Sequence, residues 1–207
     1  MTEIAKLFKQ KGFASLRKMV CEPQLTEYYQ YALDNMAGGD LQDRQAPGSP
    51  SFYHDQKFAV LHKTLRINLE QLTALKLLPT YCYYRTYRKG ARLSQHTDRP
   101  ACEISMTINI GRQGEPWGFH LIDYDKKVHH ILLEPGDAII YRGCDLIHWR
   151  EELVHADFVT QVFMHYVIKE GVNAFAYQEE KQRRLQHYIQ SLEWQKNFAK
   201  LKRSKTG

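Results

Sequence analysis

His96 and Asp98 stand one residue apart at the end of the stretch Tyr87-Arg-Lys-Gly-Ala-Arg-Leu-Ser-Gln-His96-Thr-Asp98. In an extended segment residues i and i+2 share a face, so the imidazole and the carboxylate point the same way and Thr97 turns outward. An imidazole nitrogen and a carboxylate oxygen converging on one point need one further His to complete a 2-His-1-carboxylate set. That set holds Fe(II) and leaves coordination positions open for a cosubstrate and dioxygen. The same ligands bind Mn(II), Co(II) or Zn(II), but redox chemistry requires the iron.

The third ligand comes in the segment Leu133-Glu-Pro-Gly-Asp-Ala-Ile-Ile-Tyr-Arg-Gly-Cys-Asp-Leu-Ile-His148-Trp-Arg. Pro135-Gly136-Asp137 signals a turn into the apolar strand Ala138 to Tyr141. Arg142 to Asp145 turns the chain again, and His148 opens a short strand. Two strand-like runs, Glu103 to Ile110 and Trp117 to Ile122, lie between the ligand segments. This order of strands, His-x-Asp, turn and distal His is that of a double-stranded β-helix, in which distant strands bring ligands to one mouth.

The pattern Tyr87-x-x-Gly90-x-x-Leu93-x-x-His96-x-Asp98, then Leu133-x-Pro135-Gly136-Asp137-Ala138 and His148, resembles the Fe(II)/2-oxoglutarate dioxygenases, particularly their prolyl 4-hydroxylase-like branch. The resemblance covers Pro79 to Val167, under half of the chain. It implies a mainly β, double-stranded β-helix (jelly-roll, cupin-like) core with flanking helices, an α+β chain overall. It implies Fe(II), 2-oxoglutarate and O2 as cofactors, with ascorbate as an accessory reductant that such chemistry admits. The expected reaction decarboxylates 2-oxoglutarate to succinate and hydroxylates an aliphatic C–H, with no catalytic residue beyond the metal ligands. A protein side chain is the favoured substrate. A small molecule or a nucleic acid is the alternative, and a non-catalytic, metal-containing β-barrel binding module is the rival from another class.

The chain departs from that branch at the cosubstrate anchor. Relatives place an Arg or Lys some nine or ten residues past the distal His, where this chain has Asp157 and Phe158, with no Arg or Lys before Lys169. A guanidinium that grips a carboxylate bidentately is a strong, geometry-specific contact and must be replaced. Arg150, two residues past His148 and so on the same face of a strand, is the first substitute. Arg85, on one face with Tyr83 and Tyr87, is the second. Tyr87 sits where relatives offer a hydroxyl to 2-oxoglutarate. Gln161 and His165, polar residues on one face of the apolar run Phe158 to Ile168, complete the expected pocket.

Around this centre the 207 residues suit one domain able to bury a sizeable core. It divides into a helical N-terminal elaboration (1–78), the oxygenase core (79–170) and a basic C-terminal helix (171–207). No apolar run is long enough to span a bilayer, and the amino terminus has no signal-peptide pattern. Cys21, Cys82, Cys102 and Cys144 show no paired spacing and are expected as reduced thiols, with no support for a zinc site. These features predict a cytoplasmic protein without membrane partners. Histidines 54, 62, 120, 155 and 187 lack a ligand partner at useful spacing, and His129-His130, on a strand beside a hairpin, is expected to be solvated rather than liganding.

The net charge of +6 is concentrated at one end. Residues 178–207 hold eight Lys/Arg against three Glu, a surplus of five. Leu185, Tyr188, Ile189, Leu192 and Phe198 form the apolar stripe of this basic helix, which predicts that it packs on the barrel. Helices are also predicted near the amino terminus, followed by an edge strand, and over Thr26–Met36 and Lys57–Leu75. The last of these is placed outside the sheet. Asp40–His54 and Gly111–Gly118 read as loops, the first of them able to border the site.

Overall fold

The computed structural model describes the backbone of residues 2–204 and the side chains of residues 2–193. The chain runs α1 (Glu3–Lys11), β1 (Phe13–Leu16), α2 (Gln24–Asp34), β2 (Ser51–Tyr53), α3 (Gln56–Thr73), β3 (Leu77–Arg88) and β4 (Leu93–His96). It continues through β5 (Ile104–Gly114), β6 (Phe119–Ile122), β7 (Val128–Ile131), β8 (Ala138–Arg142), β9 (His148–Arg150), β10 (Ala156–Ile168) and α4 (Phe175–Ser204). A six-stranded sheet has the order β1-β8-β5-β10-β3-β2, and a four-stranded sheet the order β4-β9-β6-β7. Neighbours pair antiparallel throughout. Two such sheets facing each other, with flanking helices, make the double-stranded β-helix expected from the order of the motifs.

Period-two alternation on the long strands decides what each face does. On β5 the residues Ile104, Met106 and Ile108 join Val162, Met164 and Tyr166 of β10 and Tyr84 of β3 in the main core. Phe58, Leu61, Leu65 and Leu69 of α3 and Phe8 of α1 cover that core from outside. The opposite face of the same strands carries Ser105, Thr107, Asn109, Gln161, His165 and Arg85, all buried. A row of polar side chains toward the space between the sheets is costly unless hydrogen-bonded or paired with a ligand. Ser105 and His165 of this row reach the candidate site.

The helices begin and end where capping chemistry permits. Asp55 accepts from the backbone N–H of Lys57 at 2.9 Å and of Phe58 at 3.2 Å, opening α3. Gly12 closes α1 at φ 80°, a conformation that suits glycine.

Three expectations are corrected. Asp40–His54 is not all loop, because Ser51–Tyr53 adds an edge strand to β3, where Phe52 stacks on Tyr84 at 4.5 Å. Gly111–Gly118 is strand as far as Gly114, because β10 begins early enough to pair Ala156 with Gly114. The stripe expected to seat the C-terminal helix faces outward: Leu185, Tyr188 and Ile189 are 59, 48 and 46% exposed. Among the described side chains of α4, Ala176 and Glu180 are the buried ones. Hydrophobic spacing misplaced the face because a charged residue holds it. Phe198, the last member of that stripe, lies outside the described side chains. No helix of the described residues is long and apolar enough to cross a membrane.

Candidate active site

His96 and His148 are cross-strand partners at the β4–β9 pairing, and their ring centroids are 4.3 Å apart. Each ring meets the backbone carbonyl two residues earlier through Nδ1, Ser94 for His96 and Leu146 for His148, both at 2.8 Å. A carbonyl only accepts, so Nδ1 carries the proton and Nε2 presents its lone pair. These two Nε2 atoms lie 3.8 and 3.7 Å from the same oxygen, Asp98 Oδ1. One ligand atom from each of the three residues falls within 4.8 Å of the others. Two imidazole nitrogens and a carboxylate oxygen on one side of a common point are a fitting donor set for a first-row divalent metal.

Asp98 is oriented by a second layer. Its backbone N–H donates to the Gly143 carbonyl at 2.8 Å, and a Cβ at Gly143 would run into the Asp98 carboxylate. Ser105 Oγ donates to Asp98 Oδ2 at 2.8 Å and meets His165 Nδ1 at 2.9 Å. Burial would push the Asp98 pKa up, but neighbouring polar groups, the donating Ser105 hydroxyl among them, outweigh it and hold the carboxyl below its ordinary range. Burial pulls His165 down to about 4, so its ring is neutral. A neutral His165 that donates from Nδ1 to Ser105 leaves Nε2 as an acceptor, and that atom is buried without a partner.

The metal-ligand set opens into a cavity of about 280 Å³ walled by Tyr83, Phe119, Tyr141, Arg150, Phe163 and His165. Arg150 is 2% exposed. Its Nη1 donates to the Trp117 carbonyl at 2.8 Å and its Nη2 to Gln161 Oε1 at 3.2 Å. The guanidinium lies 4.8 Å from the Trp117 ring centre and 5.2 Å from that of Phe119. No carboxylate of the described residues pairs with it. Burial drives its pKa down to about 10, although Tyr87, Tyr141 and Tyr83 act in the opposite direction.

Of the five residues expected around the cosubstrate, Arg150 and His165 line this cavity, whereas Arg85, Tyr87 and Gln161 stand behind its wall. Tyr87 packs edge-on to Trp117 at 4.8 Å. Arg85 is ion-paired with Asp43 and lies over the rings of Tyr83 and Tyr87. Ser105, Gly143, Trp117 and Phe119 also shape the site, though none was expected from the sequence. Ser105, Thr107 and Asn109 alternate through apolar β5 as Gln161 and His165 do through β10, so Ser105 was there to be found. Nothing in the sequence marks Gly143 as the neighbour of Asp98. A second, larger cleft of about 910 Å³ adjoins the cavity, shares Gln45, Tyr81, Tyr83 and Arg99 with it, and is walled on one side by α4.

No protein-family profile matches the sequence, and no curated protein matches it. The fold has close counterparts among solved structures. A Pseudomonas putida prolyl-4-hydroxylase superposes with a TM-score of 0.65 at 12% identity, over 78% of this chain and 96% of that one. This is the fold of the 2-oxoglutarate oxygenases. HygX from Streptomyces hygroscopicus, solved with nickel, 2-oxoglutarate and hygromycin B, gives a TM-score of 0.65 at 12% identity, over 82% of this chain and 88% of that one. An oxidoreductase of the 2OG-Fe(II) oxygenase family from Burkholderia pseudomallei gives 0.65 at 14% identity, over 83% and 91% of the two chains.

Proposed function

We propose that the protein is an Fe(II)- and 2-oxoglutarate-dependent oxygenase that hydroxylates an aliphatic C–H, a protein side chain being the favoured substrate by resemblance to the prolyl 4-hydroxylase-like branch. The observation that carries this is a buried guanidinium, Arg150, facing the same cavity as His96, Asp98 and His148 without an anion of its own. Burying an uncompensated cation is expensive, so the site is built for a ligand that brings the missing charge. A dianionic 2-oxo acid fits: one end is held at the metal ligands, and the distal carboxylate reaches Arg150.

Bound Fe(II), with 2-oxoglutarate and O2, supplies the oxidation that converts R–H to R–OH while 2-oxoglutarate becomes succinate and CO2. The chain's share is positional. The Ser94 and Leu146 carbonyls fix the two imidazoles, and Ser105 turns Asp98. Trp117 and Gln161 hold the Arg150 fork, while Phe119, Phe163 and the Trp117 ring exclude water from around it. No side chain has to act as a general acid or base. The test is succinate formation across a 2-oxoglutarate titration with Fe(II) present. Saturable succinate release that requires His148 supports the assignment, and folded, iron-loaded protein that releases none rejects it.

A further inference from the structure

Arg85 is a second buried guanidinium, 1% exposed, and the cosubstrate assigned to Arg150 leaves it unused. Its position on β3 is cross-strand to Gln161, the same residue that accepts from Arg150. Its one anionic partner is Asp43, which meets Nη2. Nε and Nη1 are buried without an acceptor. An arginine fork satisfies a carboxylate best through two parallel N–H groups, so Asp43 leaves Arg85 incompletely satisfied.

Asp43 is also the member of the pair that can leave. Its side chain is 32% exposed, and it belongs to the segment joining Asp40 to Ser51, not to a strand. Both Asp43 and Ser51, the cross-strand neighbour of Arg85, line the 910 Å³ cleft. A ligand in that cleft therefore meets Arg85 by taking the place of the Asp43 carboxylate.

The cleft also carries cations on one wall. Arg99, Arg183 and Arg184 line it. Glu180 accepts from Arg99 at 2.6 Å and pairs with Arg183 at 3.2 Å, while Arg184 Nη1 donates to the Pro79 carbonyl. Two cations thus share one carboxylate, and among the described residues Arg184 pairs with none. Of the other acids lining the cleft, Asp40 accepts from the Gln42 backbone N–H, and Asp55 caps α3 and accepts from the Tyr31 hydroxyl. These arginines are the groups that draw an anionic ligand in, against Asp40, Asp43 and Asp55 in the same cleft.

We propose that Arg85 binds a carboxylate or phosphate group of the primary substrate, and that Asp43 holds this position until the group arrives. The substrate is then an anion-bearing molecule whose reactive C–H reaches the metal centre past Tyr83 and Arg99. This assignment rests on the oxygenase function proposed above.

The test uses the full chain loaded with Mn(II) and saturating N-oxalylglycine, an analogue of 2-oxoglutarate that fills the Arg150 side. Acetate and inorganic phosphate are the probes, with chloride at matched ionic strength as the control. The readout is the anion-dependent rise in thermal midpoint, which reports binding to the folded state. Asp43→Asn removes the competing carboxylate, so its apparent affinity for one of the two anions should exceed that of the wild type by about tenfold. Asp43→Ser should behave alike. Adding Arg85→Gln should abolish the gain, and whichever anion gives the larger response identifies the group. No gain in either Asp43 variant, or a gain that survives Arg85→Gln, overturns the proposal. N-oxalylglycine binding by each variant checks folding. Its failure in the wild type would count against the oxygenase assignment instead.

Discussion

Arg150 donates to the Trp117 carbonyl at 2.8 Å and lies 4.8 Å from the centre of the same residue's ring. One tryptophan thus orients the guanidinium with its backbone and shields it with its side chain. With Gln161 as the other acceptor, the fork is fixed by neutral groups, and its charge is left for a ligand.

Removing that charge should weaken 2-oxoglutarate without disturbing the metal. Arg150→Ala is expected to cost about 2–4 kcal/mol of 2-oxoglutarate binding, the scale of deleting one partner of a buried charged pair. Fe(II) affinity should stay close to that of the wild type. Arg150→Lys should recover only part, because an ammonium cannot reproduce the planar fork. Calorimetry with Mn(II)-loaded protein measures the first, and anaerobic Fe(II) titration of the metal-free protein measures the second.

The metal-ligand set should hold about one Fe(II) per chain. Asp98→Ala and His148→Ala should each abolish turnover, and the triple variant with His96→Ala should lose the metal. Iron retained at wild-type stoichiometry by the triple variant would place the metal elsewhere.

Ser105 offers a finer probe, because its hydroxyl donates to Asp98 and meets His165 while Ser105 is not itself one of the three candidate ligands. Ser105→Ala should lower metal affinity by about 10- to 100-fold, the usual cost of losing a residue that orients a ligand. An effect of this size with unchanged thermal stability separates orientation from packing.

How far the sequence led can be judged at single residues. His96, Asp98 and His148 could be singled out because ligand chemistry restricts residue type and strand periodicity restricts spacing, and the fold brings their ligand atoms within 4.8 Å of one another. The two-residue step from His148 to Arg150 pointed to one face, and the structure lines one cavity with both. Asp43 and Glu180 were not legible. Each acts across the fold, on Arg85 and on Arg99 respectively, and no local pattern encodes contacts at that sequence separation. The face of α4 was misassigned for the same reason: the apolar stripe gave the wrong side, because Glu180 rather than leucine docks the helix.

Glu180 carries a prediction about pH. Burial pushes its pKa up, but hydrogen bonds from Arg99 and Tyr53 outweigh that and leave it lowered. A carboxyl with a depressed native pKa contributes stability that is fully present above the unfolded value of about 4.3. The contribution is lost as pH falls through the native pKa. Glu180→Gln should therefore destabilise the protein at neutral pH and flatten the acid limb of a stability-versus-pH curve measured by urea unfolding. A parallel curve, displaced but equally steep, would show that Glu180 is not the titrating group. A chain ended near Tyr177 lacks this contact and the α4 wall of the cleft. If it folds, it should keep uncoupled 2-oxoglutarate decarboxylation.

The most direct measurement is succinate release as 2-oxoglutarate is titrated into Fe(II)-loaded protein, alongside a panel of other 2-oxo acids. A 2-oxoglutarate oxygenase anchored at Arg150 must give saturable succinate release. Arg150→Ala must raise the half-saturating concentration by about 30- to 1,000-fold, the equivalent of 2–4 kcal/mol, and monocarboxylic 2-oxo acids must fail as substitutes in the wild type. Succinate release unchanged by Arg150→Ala would move the anchor, and no release from folded, iron-loaded wild type would contradict the function itself.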